Sequence, residues 1–408
     1  MSFTVIFVSV LALLSLIYGL VLSGFLRGLR KLRKAPAESC GSLPSVSVII
    51  PARNEAMVLA RTLHSLLEQD YAGQWEIVVV DDRSTDGTTE LLRGFETISN
   101  KIRVLTVTVP FPISPKKNAL ALGIRKSTGD IIVTTDADCV YDPAWLRTMI
   151  SHMTANTGVV AGLTVFDLPQ AKIPAWQKIQ WLDFFAQQLL AAGAAGAGVP
   201  SSCNGSNLAY RRSVYEQIAG FGNIASLVSG DDVLFAQRVS KLTSWKVVFA
   251  TEPECTVRSL PVVRIRDVIS QRIRWASKGL AYRRSMSVFL FGMYAYYLLW
   301  LIAPVVMISV PWSALPILGV AAWKLAWDYS TIRIGCRIFG QRELLRYFLP
   351  FIALHTILSP VFGIGGLLVP YRWKGSSFHT TTLPFGVRRG IVRMRRYKRS
   401  RQAAETAS

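Results

Sequence analysis

The chain has 408 residues, which is enough for two or three domains of ordinary size. Hydrophobic residues make up 51% of the chain and charged residues only 17%, and the mean hydropathy is +0.33. This composition excludes a globally disordered chain and points to a membrane. The net charge of +21 comes entirely from residues 27–34, 258–284 and 371–408. Because this charge flanks apolar segments, it favours anionic lipid over nucleic acid as the partner.

The first apolar segment, residues 3–26, carries no charge and is long enough to cross the ~30 Å hydrocarbon core as one helix. Five basic residues follow the segment and none precedes it, which is unlike a cleaved signal peptide. The positive-inside rule places residue 1 outside and residue 27 onward in the cytoplasm. We therefore predict an N-terminal transmembrane helix and basic flank in residues 1–34.

Residues 45–259 show short β-branched runs that alternate with amphipathic stretches, a pattern typical of βαβ units. The predicted strands are residues 46–50, 76–80, 103–107, 131–134, 159–165 and 246–250. The predicted helices are residues 55–68, 88–95, 116–126 and 143–152. The sequence thus predicts a doubly wound α/β domain, in which a ligand binds beyond the carboxyl ends of the strands.

Acidic side chains follow three of these strands, at the edge where a ligand would bind. Crowded carboxylates repel one another unless a cation or hydrogen-bond donors hold them. Alternate residues leaving a strand project to one side, so Asp136 and Asp138 suit two hard oxygen ligands, or one ligand and one hydrogen-bonded partner. A divalent cation there could be shared with a substrate diphosphate. The three motifs are Pro51-Ala52-Arg53-Asn54-Glu55, Asp81-Asp82-Arg83-Ser84 and Asp136-Ala137-Asp138.

Two further readings concern the same strand ends. Asp86 and Gly87 fit a turn and a helix N-cap better than a ligand site. No glycine-rich phosphate loop follows the first strand, which disfavours dinucleotide redox and P-loop chemistry.

The five cysteines are odd in number and far apart, and their spacing fits neither a zinc site nor a disulfide framework. We therefore expect a reducing compartment. They are Cys40, Cys139, Cys203, Cys255 and Cys336.

Apolar residues recur every three or four positions between residues 262 and 280, which predicts an amphipathic interfacial helix within residues 260–285. Gln271 lies one turn before Arg274 and Trp275, so the three side chains can point toward one site. Four other basic residues of this region are expected only to contact lipid headgroups. They are Arg266, Lys278, Arg283 and Arg284.

Apolar segments return at residues 288–310, 312–332 and 347–369, within a predicted C-terminal transmembrane region of residues 286–370. A third full span would put the basic tail, residues 371–408, outside the cell, against the positive-inside rule. Prolines and glycines interrupt the last segment, so we expect a re-entrant hairpin that returns the tail to the cytoplasm. These residues are Pro350, Pro360, Gly363, Gly365 and Gly366.

Two segments within the α/β domain leave alternatives open. Residues 173–190 fit either an interfacial stretch with headgroup-level aromatic residues or an ordinary buried helix. Residues 191–198, rich in Ala and Gly, fit a helix end packed against backbone, a mobile loop or a plain linker.

In their order along the chain, the strand-end motifs, Asp231-Asp232 and the Gln-x-x-Arg-Trp motif resemble those of membrane-integrated family 2 glycosyltransferases. That group includes cellulose, hyaluronan and poly-N-acetylglucosamine synthases and ceramide and carotenoid glucosyltransferases. The resemblance covers residues 45–280. It implies a GT-A fold, transfer of a sugar from a nucleotide diphosphate with inversion, and use of Mg²⁺ or Mn²⁺.

The resemblance also assigns roles on the donor side. Asp82 matches the residue that hydrogen-bonds the nucleobase, and Lys116 or Lys117 resembles a basic residue near the phosphates. Asp138 matches the metal ligand, with Asp136 as its donor-binding companion. The strand end that lines the nucleotide pocket supplies Pro51, Arg53 and Glu55.

On the acceptor side, Asp232 matches the general base. The motif here reads Ser229-Gly230-Asp231-Asp232 instead of Thr-Glu-Asp, so Asp231 stays open as the base, although Asp232 is favoured. The residues that close over the diphosphate and acceptor match Gln271, Arg274 and Trp275.

Displacing a nucleoside diphosphate at an anomeric carbon needs a base on the acceptor hydroxyl and charge stabilisation on the leaving phosphates. We therefore expect a glycosyltransferase that moves a sugar from a nucleotide sugar, with UDP as the expected nucleotide, to a lipid or lipid-linked hydroxyl. It would be integral to the inner membrane, with its catalytic domain in the cytoplasm. A processive polysaccharide synthase and a non-catalytic membrane scaffold remain alternatives.

Overall fold

The structure, a computed structural model, describes residues 3–32, 43–108, 114–167, 173–373 and 376–378. The helices are α1 (Phe3–Leu32), α2 (Leu59–Leu67), α3 (Thr88–Ile98), α4 (Pro115–Lys126), α5 (Trp145–Ser151), α6 (Ala175–Gly196), α7 (Arg212–Gln217), α8 (Val233–Leu242), α9 (Ile265–Ala276), α10 (Arg284–Ser309), α11 (Ala314–Ile338) and α12 (Phe348–Leu368). The strands are β1 (Val46–Ala52), β2 (Trp75–Asp81), β3 (Ile102–Thr106), β4 (Ile131–Thr134), β5 (Cys139–Val140), β6 (Thr157–Ala161), β7 (Thr164–Phe166), β8 (Leu208–Arg211), β9 (Lys246–Phe249), β10 (Val257–Ser259), β11 (Tyr371–Trp373) and β12 (Ser376–Phe378).

A seven-stranded sheet of order β3-β2-β1-β4-β8-β6-β9 forms the centre of the α/β domain. Strands β3, β2, β1 and β4 run parallel, whereas β8 runs antiparallel to both of its neighbours. Alternate residues of β1 enter two different cores: Val48 packs with Leu63 of α2, and Ile49 packs with Leu120 of α4. Both faces of the sheet are therefore covered, which confirms the mixed α/β fold predicted from the sequence.

The predicted strand 159–165 is two strands in different sheets. It divides after β6, and β7 joins a separate three-stranded sheet with β10 and β5. Gly162 lies at the break, where a Cβ would be 2.4 Å from Nδ2 of Asn207. Strand β8 was not predicted, because four residues bounded by polar segments carry too little periodicity to show a strand.

Helix α6 is largely buried from Gln180 onward, which supports the buried-helix reading for residues 180–190, whereas residues 173–179 are exposed or half-buried. Trp181, Phe184 and Phe185 are each less than 9% exposed. Phe184 stacks on Phe166 of β7, with ring centroids 5.0 Å apart.

The Ala/Gly-rich end of α6 packs directly against the backbone of α1. A Cβ on Gly28 would lie 2.0 Å from the Gly193 carbonyl oxygen, and one on Gly196 would lie 2.2 Å from the Gly28 carbonyl oxygen. Of the alternatives for residues 191–198, the helix end packed against backbone is therefore the one observed. Only glycine allows the two helices to approach so closely.

Three helical segments are long and apolar enough to cross a membrane: Phe3–Leu32, Arg284–Ser309 and Arg342–Leu368. Helix α11, which covers the predicted segment 312–332, is not among them. It carries the ion pair Lys324–Asp328, 2.6 Å apart, and Tyr18 of α1 donates a hydrogen bond to Asp328 at 2.5 Å. These buried polar groups connect α1 to α11.

The predicted re-entrant hairpin in residues 347–369 is wrong, because α12 is one continuous helix. Pro350 lies in its first turn, where a missing N–H is tolerated, and Pro360 lies inside the helix. Both halves of α12 contact the α/β domain: Phe351 joins the core beneath the sheet, and Gly366 packs on Ala276 of α9. The tail after residue 378, and its predicted location, lie outside the described residues.

Candidate active site

The donor-side and base-side acids predicted from the sequence meet at one lysine. Lys116, in the first turn of α4, places its Nζ 2.6 Å from Asp136 and 3.3 Å from Asp231. Asp136 follows β4, whereas Asp231 precedes α8 about 95 residues later in the chain. The fold therefore brings both acidic motifs into a single cleft, beyond the carboxyl end of β4.

The Asp231-Asp232 pair is held by its backbone. Gly230 has φ +89°, a conformation that favours glycine, and Asp232 is the N-cap of α8, where its Oδ1 accepts from the Val233 N–H at 2.6 Å. The other carboxylate oxygen of Asp232 accepts from the Gly205 N–H at 3.2 Å. Capping alone would explain an acid at this position, but it also gives the carboxylate a defined orientation.

The two aspartates differ in their cationic partners. Burial alone would raise the pKa of Asp231, but Lys116, Lys117 and Lys278 lower it to about 2. Burial likewise opposes the charge on Lys116, yet Asp136 and Asp231 raise its pKa well above the ordinary value. Asp232 has a longer contact, 3.7 Å, to Nζ of Lys278. Asp231 is thus committed to an ion pair and is a poor proton acceptor.

Lys117 has a different task from its neighbour. Its side chain is fully buried, and its Nζ donates to the carbonyl oxygens of Leu227 at 2.5 Å and Ser229 at 2.9 Å. Burial lowers the pKa of Lys117 to about 8, although Asp231 and Asp232 oppose this effect. Lys117 therefore positions the loop before Asp231, and Lys116 is the lysine that faces the cleft.

The predicted metal ligands lie in a crowded acidic environment. Asp138 accepts from Ser259 Oγ at 3.2 Å and from Cys139 Sγ at 3.6 Å. Burial, with the nearby charges of Asp136 and Glu55, raises the pKa of Asp138 to about 6. Hard oxygen donors that repel one another in this way fit a divalent cation. Asp138 and Asp136 therefore fit the Mg²⁺ or Mn²⁺ expected from the sequence.

A different group of ligand-type side chains joins His152, Glu252 and Cys255, whose ligand atoms all lie within 4.8 Å of one another. His152 and Glu252 already form an ion pair at 2.8 Å. His152 and Glu252 therefore already have each other as partners. The four cysteines in the described residues are unpaired and buried.

Arginines hold the predicted nucleobase residue, Asp82. Its carboxylate lies 2.9 Å from Arg83 and 3.6 Å from Arg53. Arg83 and Asn54 have φ values of +59° and +55°, which is unusual for residues other than glycine. Strained backbone of this kind clusters at binding sites, and both residues follow strands of the parallel sheet.

Asp86 has the turn role expected from the sequence. Its carboxylate accepts from the Thr88 N–H at 3.1 Å and from the Ala56 N–H at 3.2 Å. Gly87 is the N-cap of α3 with φ +91°. These contacts connect the loop after β2 to the loop after β1. Pro51, which is predicted to line the nucleotide pocket, lies near the end of β1.

The Gln-x-x-Arg-Trp helix, α9, is fixed by the residue after Gln271. Arg272 lies 2.6 Å from Asp183 of α6, and Asp183 also contacts His355 of α12 at 3.0 Å. Burial would raise the pKa of Asp183, but Arg272 and His355 lower it. Trp275 packs against Phe184 of α6 in a tilted arrangement, with ring centroids 5.6 Å apart, and lies under the Arg272 guanidinium at 4.6 Å. The motif thus belongs to a core shared by three helices.

Lys278 was assigned to the lipid surface, and that assignment is wrong. It is 8% exposed, and its Nζ lies beside Asp232. The positive charge of Arg274 is close enough to lower the pKa of Lys278. Tyr371 forms a hydrogen bond with Ser277, which precedes Lys278 in the chain. Helical spacing does not identify this role, because α9 ends at Ala276 and the partner Asp232 lies in a distant part of the chain.

Parts of the chain are similar to known glycosyltransferases. Residues 47–219 match the family model described as glycosyl transferase family 2. Glycosyltransferase AglE of Haloferax volcanii is 31% identical over 202 residues, which are 49% of this chain and 62% of AglE. Beta-monoglucosyldiacylglycerol synthase of Trichormus variabilis is 25% identical over 340 residues, 78% of this chain and 70% of that protein. The chain therefore spans less than two thirds of AglE.

Mannosyltransferase PcManGT from Pyrobaculum calidifontis, solved with GDP-Man and Mn²⁺, has a similar fold. The TM-score is 0.52 and the identity 21%, with 85% of this chain and 99% of that chain covered. At this identity the likeness is one of fold. It supports a mixed α/β fold of the GT-A type, and within that fold residues 47–219 match the family 2 glycosyltransferase model.

Proposed function

We propose that the chain is an inverting glycosyltransferase that moves a sugar from a nucleotide-diphosphate sugar to a hydroxyl of a lipid or lipid-linked acceptor. The observation that supports the proposal is the contact of Lys116 with both Asp136 and Asp231. A donor-binding acid and the acids beside the acceptor therefore share one cleft, as a direct transfer requires. UDP is the expected nucleotide.

Asp232 acts as the general base and accepts the proton of the acceptor hydroxyl. Two features support Asp232 over Asp231: the ion pair that lowers the pKa of Asp231, and the orientation that capping gives to Asp232. Gly205 keeps space in front of both acids, because a Cβ there would lie 3.2 Å from Oδ2 of Asp231. A base of this kind contributes about 10²–10⁴ in rate.

Residues at the strand ends and on α9 bind the donor. Asp138 and Asp136 would hold Mg²⁺ or Mn²⁺, which would neutralise charge on the leaving diphosphate. Arg274 and Gln271 approach the diphosphate and acceptor from α9, and Trp275 keeps that helix in place. Arg53 and Asp82 bind the nucleoside. Asp82 must then give up a contact with an arginine in order to hydrogen-bond the nucleobase.

The acceptor approaches from the membrane. Residues near the start of α9 expose apolar side chains: Val263 is 64%, Ile265 59% and Ile269 42% exposed. Three apolar segments long enough to span a bilayer flank the domain, and glycolipid synthases are among the similar proteins. The positive-inside bias of residues 27–34 supports a cytoplasmic catalytic domain at the inner membrane.

The test is incubation of purified protein with radiolabelled nucleotide sugar and membrane lipid. We expect an organic-soluble product with a small, fixed number of sugars. Asp232→Asn should abolish transfer while donor affinity changes only a few-fold. If Asp231→Asn is inactive and Asp232→Asn retains activity, the assignment of the base is wrong. A water-soluble polymer that lengthens with time would establish the processive alternative, and no product would favour a scaffold.

A further inference from the structure

Buried polar atoms without a hydrogen-bond partner are concentrated on two facing helices. Both amide atoms of Gln180 and the indole Nε1 of Trp181 lie on α6, and Oε1 of Gln271 and Nη1 of Arg272 lie on α9, whereas Nη2 of Arg272 pairs with Asp183. Among the described residues, other such atoms occur singly. Native proteins pair nearly all of their buried polar groups, so five such atoms in one place need an explanation.

The two segments face each other. Asp183 is 2.6 Å from Arg272, and the rings of Phe184 and Trp275 pack in a tilted arrangement with centroids 5.6 Å apart. Gln180 lies one turn before Asp183 and Phe184, so it shares their face of α6. Gln180 and Arg272 are each 6% exposed. The unpartnered groups therefore belong to one interface between α6 and α9.

The charges of this interface define the ligand that it fits. Asp183 neutralises Arg272, and Lys178, whose Nζ lies 4.9 Å from the centroid of the Trp181 ring, pairs with Glu343 at 3.8 Å, so each of these cations already has an acidic partner. What remains are amide and indole groups that donate or accept without net charge. Hydroxyl groups, which do both, are the complementary chemistry.

We propose that this interface, formed by Gln180, Trp181, Gln271 and Arg272, binds the uncharged hydroxyl-bearing head of the acceptor lipid, such as glycerol or a sugar. The proposal rests on the proposed function, whose acceptor it specifies. Lys278, which contacts Asp232, is two residues beyond the end of α9. The interface and the base are therefore connected through one short segment of the chain.

This arrangement predicts a conflict between stability and binding. An amide buried without a partner destabilises the protein until a ligand satisfies it. Replacing such an amide with an apolar side chain of similar size should leave stability equal or higher while it weakens binding of the ligand. A residue that serves structure alone would show the opposite pattern.

Helix α6 offers a matched control in Gln188, which is also 6% exposed. Its amide accepts from the Thr164 N–H at 2.8 Å and donates to the Thr164 carbonyl oxygen at 2.6 Å. We expect Gln188→Met to lower the melting temperature, because it breaks both bonds. Gln180→Met should not lower it, but should raise the KM for the lipid acceptor at least ~tenfold and leave the donor KM nearly unchanged.

Binding is measured separately, with dioctanoylglycerol and dioctanoyl phosphatidic acid added to the full chain in detergent and bound lipid detected by native mass spectrometry. Gln180→Met and Trp181→Phe should each lose dioctanoylglycerol. The wild-type protein should prefer it to the phosphatidic acid.

Equal retention by wild type and both variants, preference for the phosphatidic acid, or an unchanged acceptor KM would overturn the proposal. A loss of stability in Gln180→Met as large as in Gln188→Met would also overturn it, because Gln180 would then have a native partner. If the wild type binds dioctanoylglycerol through Gln180 but transfers no sugar, the binding site stands and the proposed function fails.

Discussion

Neutralising Asp183 should destabilise the protein by about 3 kcal/mol. Removing one partner of a buried ion pair typically costs about 3–5 kcal/mol, because the remaining charge is left uncompensated. The side chain of Arg272 is 7% exposed, and the Arg272 guanidinium cannot lose its proton at neutral pH. Asp183 is 21% exposed, and an asparagine would still contact His355, so the lower end of the range applies.

The assay is thermal unfolding of Asp183→Asn in detergent, with an expected decrease in melting temperature of at least ~5 °C. Asp167→Asn is the matched control, since Asp167 lies 2.6 Å from Arg61 but both side chains are about one-third exposed or more. Its change should stay within about 1 kcal/mol. Equal effects of the two substitutions would refute the reasoning. Asp183→Leu combined with Arg272→Met should recover most of the loss, because no unpaired charge remains.

Three further outcomes can be measured. Activity should require Mg²⁺ or Mn²⁺, and Asp138→Asn should raise the metal concentration needed; full activity of the wild type in excess EDTA would contradict this role. Lys116→Met should raise the pKa of Asp231. As the pH falls, this carboxylate is then protonated at a less acidic pH, so the acidic limb of kcat/KM should shift to higher pH. Gly28→Ala should lower the melting temperature, whereas Gly24→Ala, with open space around it, should not; similar changes would argue against the close helix contact.

The strand-end motifs could be predicted from the sequence because their chemistry is local. Asp136 and Asp138 follow one strand directly, and parallel strands place their carboxyl ends at one edge whatever the rest of the fold does. The turn role of Asp86 is local in the same sense, since its partner Thr88 is two residues away.

Residues whose role depends on distant partners were not predictable. Asp183 and Lys117 obtain their partners from segments 89 and about 110 residues away, and no periodicity shows such pairs. Lys278 resembled a surface lysine because burial is a tertiary property. The hairpin was expected in residues 347–369 because prolines interrupt helices. Pro350, however, lies in the first turn of α12, where a proline is tolerated, and packing stabilises that helix.

The contact between Gly28 and the end of α6 has a consequence for the order of folding. Helix α1 leaves the ribosome before α6, because the residues that cover its glycine face are synthesised about 165 residues later. Contacts of such long sequence separation form slowly, because a large loop must close before they contribute. The core beneath the sheet, which includes Leu26 and Leu29 of α1, therefore stays incomplete until α6 has been made. A ribosome stalled before residue 196 should hold an opened, protease-sensitive domain.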